Sequence, residues 1–257
     1  MGMMEGKRAA VFGVANDHSI AWAIAQRFHV EGAELAFTYP NEAIEKRVRP
    51  LAESLGSDLV LPCDVSDDAQ IAAVFGALAE RWSGGLDAVV HSLAFAGRDE
   101  LKGRFLDTSR QGFHLALDVS AYSLVAMARA AEPLLAARRG SLITMSYYGA
   151  EKVIPHYNVM GVAKAALEAC VRYLAADLGP TGIRVNAISA GPLRTLSSAG
   201  ISGFKTMLHY HEERAPLRRN IVAEEVAAAA LYLCSDGASG VTGEVLHVDA
   251  GYNVMGM

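Results

Sequence analysis

The sequence predicts an α/β protein built on a doubly wound parallel sheet of about seven strands with helices on both faces. Three observations predict it. Short β-type runs alternate with longer helical patterns from end to end, the βαβα order of a parallel sheet. The runs, LDAVVHSLA among them, are apolar throughout, as strands covered on both faces are. No Pro/Gly/Ser linker, charge block or repeat divides the 257 residues, so one domain over 1–257 is expected.

In chain order, apolar β-type runs predict strands at 9–14, 34–38, 59–62, 86–92, 141–145, 184–189 and 244–248. Between them, helical spacing predicts helices at 19–31, 41–55, 67–82, 112–137, 157–179 and 223–234. Ser19, Asn41 and Asp67 stand at three of the entrances and Gly32 and Gly56 beyond two of the exits, residue types that cap and end helices. The stretch after strand 184–189 breaks the rhythm. A connection this long is usually functional or mobile, and it leaves the carboxyl edge of a strand, where such sheets bind ligands. The segment at about 193–219 is therefore expected to form a substrate lid. Within it Ile201, Phe204, Met207 and Leu208 keep a helical spacing, which fits a pocket wall and a helix packed on the core equally well.

Composition narrows the function. Hydrophobic residues make up 52% and charged ones 20%, which excludes a disordered chain. Lys and Arg total 23 against 28 Asp and Glu, a net charge of −5, so no nucleic-acid partner is expected. Apolar runs are strand-sized where a membrane span needs ~20 residues, so no membrane partner is expected and a cytoplasmic location is. Cys63, Cys170 and Cys234 are far apart and outside any ligand spacing, reading as buried thiols rather than a disulfide framework or a metal site.

The first strand runs into GVANDHSIAWAIAQRF. Of a GxGxxG dinucleotide fingerprint only Gly13 is present, but Ala15, Ser19 and Ala21 are small. Ser19 stands where it can cap a helix whose N–H groups would face a phosphate. By itself the turn reads equally as a nucleotide site or an ordinary βα connection. The second strand ends in Tyr39-Pro40-Asn41-Glu42, with no basic residue before Lys46. That favours NADH over NADPH, whose 2′-phosphate calls for a nearby cation. Asp64 and Val65 close the third strand, beside an adenine or capping the next helix. Ser92, Leu93 and Ala94 close the fourth.

The sharpest chemistry lies in SYYGAEKVIPHYNVMGVAKAALEAC. A tyrosine hydroxyl can donate to a developing oxyanion while a lysine holds a cofactor ribose. Two pairs compete. Tyr148 and Lys152 have the Yx3K spacing of ordinary short-chain dehydrogenases; Tyr157 and Lys164 are seven apart. Pro155 places the first pair in a loop, whereas Lys164 lies on an alanine-rich helical face, and context favours the second. Seven residues rise ~10.5 Å along a helix against ~6 Å for four, which would set Tyr157 farther from the ribose. The plainer reading, two packing tyrosines, remains beside it.

In GVANDHSIAWAIA, FTY, CDV, HSLAFA, the tyrosine–lysine segment, RVNAISAGPLRTL and GEVLHVDAGY, the chain resembles the bacterial NADH-dependent enoyl-acyl-carrier-protein reductases of fatty-acid synthesis. These belong to the short-chain dehydrogenase/reductase superfamily, with a Rossmann-like sheet. The resemblance runs the length of the chain. It implies that Gly13, Ala15, Ser19 and Ile20 hold the pyrophosphate of NADH, that Pro40, Asp64 and Val65 border the adenosine, and that Ser92, Leu93 and Ala94 border the ribose. Met145 and Lys164 would meet the nicotinamide riboside, and Gly191, Pro192, Leu193 and Thr195 would close over it. Tyr157 would donate to the thioester carbonyl, with Tyr147 bordering the pocket, so Tyr157, Lys164 and Tyr147 are the catalytic candidates. Ala96, Ile201, Phe204 and Met207 would meet the acyl chain. The implied partner is an acyl-carrier protein carrying the enoyl substrate, and the implied assembly a homotetramer. Three positions depart from the family pattern: Pro40 replaces a common Gln, Ala94 a usual Gly, and the lid offers only Lys205 between Ser202 and Thr206. Two rivals remain open, a 3-oxoacyl or alcohol dehydrogenase using Tyr148 and Lys152, and a non-catalytic NADH-binding regulator.

Overall fold

A computed structural model describes residues 2–195 and 203–256. Seven parallel strands form its sheet: β1 (Arg8–Phe12), β2 (Glu34–Tyr39), β3 (Val60–Pro62), β4 (Ala88–His91), β5 (Ser141–Ser146), β6 (Arg184–Ala190) and β7 (Val245–Val248). Their order is β3-β2-β1-β4-β5-β6-β7. β1 is the pivot: Val11 pairs with Phe37 of β2 on one side and Val90 of β4 on the other. The chain winds outward through β3 and returns to start the second half at β4. The crevice this reversal opens at the carboxyl ends of β1 and β4 is where doubly wound sheets bind dinucleotides.

The pleat explains the uninterrupted apolar runs. Ala9 and Val11 join one buried cluster while Ala10 and Phe12 join the other, because alternate residues face opposite sides. The first cluster packs α1 (Ile20–Val30), α2 (Glu42–Ser54) and α8 (Ala223–Cys234), with Trp22, Ile24, Phe28 and Leu231 buried. The second packs α3 (Asp68–Arg81), α5 (Ser123–Ala136) and α6 (Val159–Leu178), with Phe75, Leu78, Leu124 and Leu167 buried. Among the described residues no helix is long and apolar enough to cross a membrane, and no cluster suits a metal ion. All three cysteines are free. Burial pushes the thiols of Cys63 and Cys234 up to about 12.

Two expectations change and one open reading is resolved. The predicted helix 112–137 is interrupted: α4 (Arg110–Leu117) passes through a π-helical turn at Asp118–Tyr122 before α5. There the buried Ser120 hydroxyl accepts a hydrogen bond from the Phe95 backbone N–H at 3.0 Å. The helix predicted from 157 begins only at Val159, so Tyr157 precedes it. Finally, α7 (Phe204–Arg214) occupies the lid segment. It resolves the helical spacing both ways: Leu208 is buried, while Phe204 and Met207 line a cavity.

Candidate active site

The carboxyl ends of β1, β4, β5 and β6 open into a cavity of about 360 Å³. The β1 turn contributes Gly13, Ala15, Ser19 and Ile20 to its wall. Gly13 has φ +102°, and a Cβ there would stand 2.0 Å from the Ser92 carbonyl oxygen. The two strand ends therefore approach as closely as only glycine allows. Ser19 occupies the N-cap position of α1, yet its hydroxyl donates to the Asn16 carbonyl at 2.7 Å, correcting its expected role as a side-chain cap. The first turn of α1 carries no acidic residue, so the positive end of the helix dipole meets no carboxylate there. This glycine-tight strand–helix turn fits a dinucleotide pyrophosphate.

From β4 come Ser92, Leu93, Ala94 and Ala96, and from the end of β6 come Gly191, Pro192, Leu193 and Thr195. Phe204 and Met207 of α7 form the opposite wall. β5 supplies Met145, and the segment beyond it supplies Tyr147. Tyr147 stands edge-on to Tyr157, ring centroids 5.0 Å apart at 77°, and its hydroxyl reaches Met207 Sδ at 3.2 Å. Burial pushes both hydroxyls well above the usual tyrosine range, so both are neutral donors at physiological pH. Tyr157 lies between His156 (φ +64°) and Asn158 (φ +41°), a left-handed backbone uncommon outside glycine and costly to maintain. Gly149 makes room for its ring: a Cβ there would lie 2.5 Å from Tyr157 Cδ1.

Lys164 enters from α6. Its side chain is 5% exposed, and its Nζ donates to the Met145 carbonyl at 2.6 Å. An ammonium has three donors, so the arrangement leaves capacity for a ribose. Burial pushes Lys164 down to about 8, with the Glu168 carboxylate opposing that shift.

The competing pair is not assembled. The Tyr148 hydroxyl points to the Asn253 carbonyl at 3.4 Å and its ring meets Tyr252, while Lys152 is exposed. Pro40, Asp64 and Val65 do not line the cavity. Pro40 and Asp64 are exposed beyond β2 and β3, with the Asp64 carboxylate accepting from the Ser66 hydroxyl at 2.7 Å. The Asp64 side chain therefore does not cap α3; Asp67 does, accepting from the Ala69 N–H. Val65 is buried in the second core cluster. Ile201 lies outside the described residues. Sequence reasoning missed Phe95, Arg98, Leu101, Ser146 and Met160, which also line the cavity. Met160 was reachable, since it lies one turn before Lys164 on the same helical face.

This assembly matches one family. A family model described as enoyl-(acyl carrier protein) reductase fits residues 13–253. The chain belongs to this family. It is 54% identical to the NADH enoyl-acyl-carrier-protein reductase of Aquifex aeolicus, over all of this chain and 95% of the relative. The Rhizobium meliloti NADH enoyl-acyl-carrier-protein reductase 1 is 57% identical, covering all of this chain and 93% of the relative. Solved structures agree: that of the Aquifex aeolicus reductase superposes with a TM-score of 0.97 at 54% identity, each chain wholly covered. The Anaplasma phagocytophilum reductase in complex with NAD superposes at 0.95 and 56% identity, with 100% and 97% covered. The family's sheet is thus the one seen here.

Proposed function

We propose that Tyr157, Lys164 and Tyr147 carry the reaction of an NADH-dependent enoyl-acyl-carrier-protein reductase of fatty-acid synthesis. The observation that carries this is the meeting in one cavity of a neutral buried tyrosine, a buried lysine and a glycine-tight strand turn, with the Tyr148–Lys152 pair left outside. NADH supplies the hydride that reaches C3 of the trans-2-enoyl thioester. Gly13, Ala15, Ser19 and Ile20 hold its pyrophosphate, Lys164 its ribose, and Ser92, Leu93, Ala94, Met145, Gly191, Pro192, Leu193 and Thr195 enclose the remainder. Pro40, beyond the end of β2, and Asp64 and Val65, beyond the end of β3, border the adenosine.

Tyr157 then donates a hydrogen bond to the thioester carbonyl oxygen and stabilises the enolate until C2 is protonated. A hydroxyl held neutral can donate, and desolvation strengthens that bond. Tyr147 fixes the Tyr157 ring by its edge-to-face contact and with Ala96, Phe204 and Met207 borders the acyl chain.

The deciding assay follows NADH oxidation with crotonyl thioesters on acyl-carrier protein and on CoA, repeated with Tyr157→Phe and Lys164→Ala. Full activity in Lys164→Ala would remove that lysine from the scheme, and turnover of 3-oxoacyl but not enoyl thioesters would replace the reaction. Tight NADH binding with no turnover would make the chain a regulator. We also assign it one domain with a lid at about 193–219, a cytoplasmic location and a homotetrameric state, which light scattering tests. Docking of the acidic carrier is assigned to the lid cations, Arg194, Lys205, Arg214, Arg218 and Arg219, with Lys205 exposed on α7.

A further inference from the structure

Two residues of the reaction scheme, Lys164 and Met145, and two outside it, Glu168 and Ser146, tie α6 to the end of β5. Lys164 and Glu168 are four apart on α6, hence on one face, and both are buried, at 5% and 7% exposure. The Met145 carbonyl accepts from Lys164 Nζ at 2.6 Å, and the next residue, Ser146, donates its hydroxyl to Glu168 Oε1 at 2.5 Å. Two successive strand residues thus grip two helix residues one turn apart. Among the described residues no ion pair within 4.0 Å involves Lys164 or Glu168, the two with each other included, so Glu168 acts on the ammonium across a longer gap. Burying an ammonium without a compensating charge is costly, and Glu168 is the acid placed to offset it.

From this geometry we infer that Glu168, braced by Ser146, is a positioning residue: its carboxylate keeps the Lys164 ammonium charged, and its grip on β5 holds the Met145 carbonyl that orients it. The inference rests on the reading of Lys164 as the residue that holds the cofactor ribose. The other charged neighbours are few. Lys164 also acts on His91 of β4, which is held neutral with its ring between the Thr144 and Ser123 hydroxyls. Tyr147 and Tyr157, in the same cavity, are neutral. Burial raises the Glu168 carboxyl above its ordinary value and the Ser146 hydroxyl opposes that rise; Glu151, paired with His247 of β7 at 2.8 Å, adds to it, while His247 and Arg172, one turn further along α6, counter it. Of these groups, Glu168 alone is an acid acting on the ammonium to keep it protonated.

The test is the pH dependence of NADH affinity, read by cofactor fluorescence without substrate. In the unaltered protein affinity falls as pH rises through about 8, where Lys164 loses its proton. In Glu168→Gln, which retains a partner for Ser146, affinity at pH 6.5 stays within about twofold and the alkaline fall begins about one pH unit earlier, giving roughly five- to tenfold weaker binding at pH 8.5, the order a one-unit displacement produces. Glu168→Asp keeps the charge and restores the profile. Should Glu168→Gln fail to fold, Glu168→Met is the second neutral replacement with the same expected displacement. An unmoved midpoint in a folded neutral variant, or a uniform loss at every pH, overturns the inference. Lys164→Ala separates the two readings. If it removes the alkaline fall while Glu168→Gln leaves it in place, only the role of Glu168 is lost; if it binds NADH normally at every pH, the reading of Lys164 falls first.

Discussion

The Tyr157 and Tyr147 rings meet edge to face, centroids 5.0 Å apart and planes at 77°, so the proposed donor hydroxyl is aimed by a neighbouring aromatic ring rather than by a helix. Edge-to-face pairs contribute about 0.5–1.5 kcal/mol beyond burial, enough to favour one ring orientation. Tyr157→Phe is expected to lower kcat by about 10²–10³-fold, the cost of one oxyanion donor, with NADH affinity retained. Tyr147→Phe keeps the ring contact and is expected to cost under about tenfold. Steady-state kinetics on crotonyl thioesters checks both, and equal losses would mean that the hydroxyls share the role.

Gly149 offers a test that leaves every polar group in place. A Cβ there would lie 2.5 Å from Tyr157 Cδ1, so Gly149→Ala must turn the ring. The expected result is a fall in kcat of about tenfold or more, since small misplacements of reacting groups cost up to 10². NADH affinity should be unchanged, while the melting temperature falls with the cost of overpacking, about 1–3 kcal/mol.

Lys164 should oppose stability in the cofactor-free protein. Its folded value, about 8 against an unreacted 10.5, means that folding at neutral pH bears about 3 kcal/mol for an ammonium that water would solvate better. The sign follows from the depressed value. The cost is full below pH 8 and is relieved as pH rises from 8 toward 10.5. Lys164→Met is therefore expected to raise the melting temperature at pH 7 while weakening NADH binding, a trade seen where a site needs a strained group. A lower melting temperature in Lys164→Met would contradict the assignment.

The Ser120 hydroxyl holds the Phe95 N–H across the π-helical turn at 3.0 Å. Ser120→Ala removes that bond at the half-exposed Phe95, an expected loss of about 0.5–1.5 kcal/mol. Because Phe95 and Ala96 line the cavity, the KM for the enoyl substrate should rise more than that for NADH. Denaturation and kinetics together check this.

Pro40 is exposed at the end of β2, with no basic side chain before Lys46. NADH should therefore be used more efficiently than NADPH. Pro40→Arg supplies a guanidinium suited to a 2′-phosphate and is expected to improve kcat/KM for NADPH at least about tenfold by the gain of one charge-assisted pair. Equal use of both cofactors by the unaltered protein would contradict the reading of this strand end.

Sequence alone determined the sheet and the turn. Short apolar runs and period-3.6 patterning are local properties, so all seven strands and most of the helices around them were readable from the chain, including α8 at 223–234. Glycine at 13 and a cation-poor β2 end were readable for the same reason. What patterning could not supply was depth and aim. It ran a helix through Tyr157, whereas the positive φ values at His156 and Asn158 free that residue from α6. It saw a single helix where Ser120 turns toward Phe95, and it passed over Glu168, whose partner Ser146 lies 22 residues away. Local context favoured Tyr157 and Lys164, and only tertiary packing brought that pair to one cavity. Tyr148 and Tyr157 are both buried, and the difference lies in where each hydroxyl is directed. Local chemistry fixes a chain's period and its turns; burial and the convergence of distant strand ends fix which of its polar groups share a cavity.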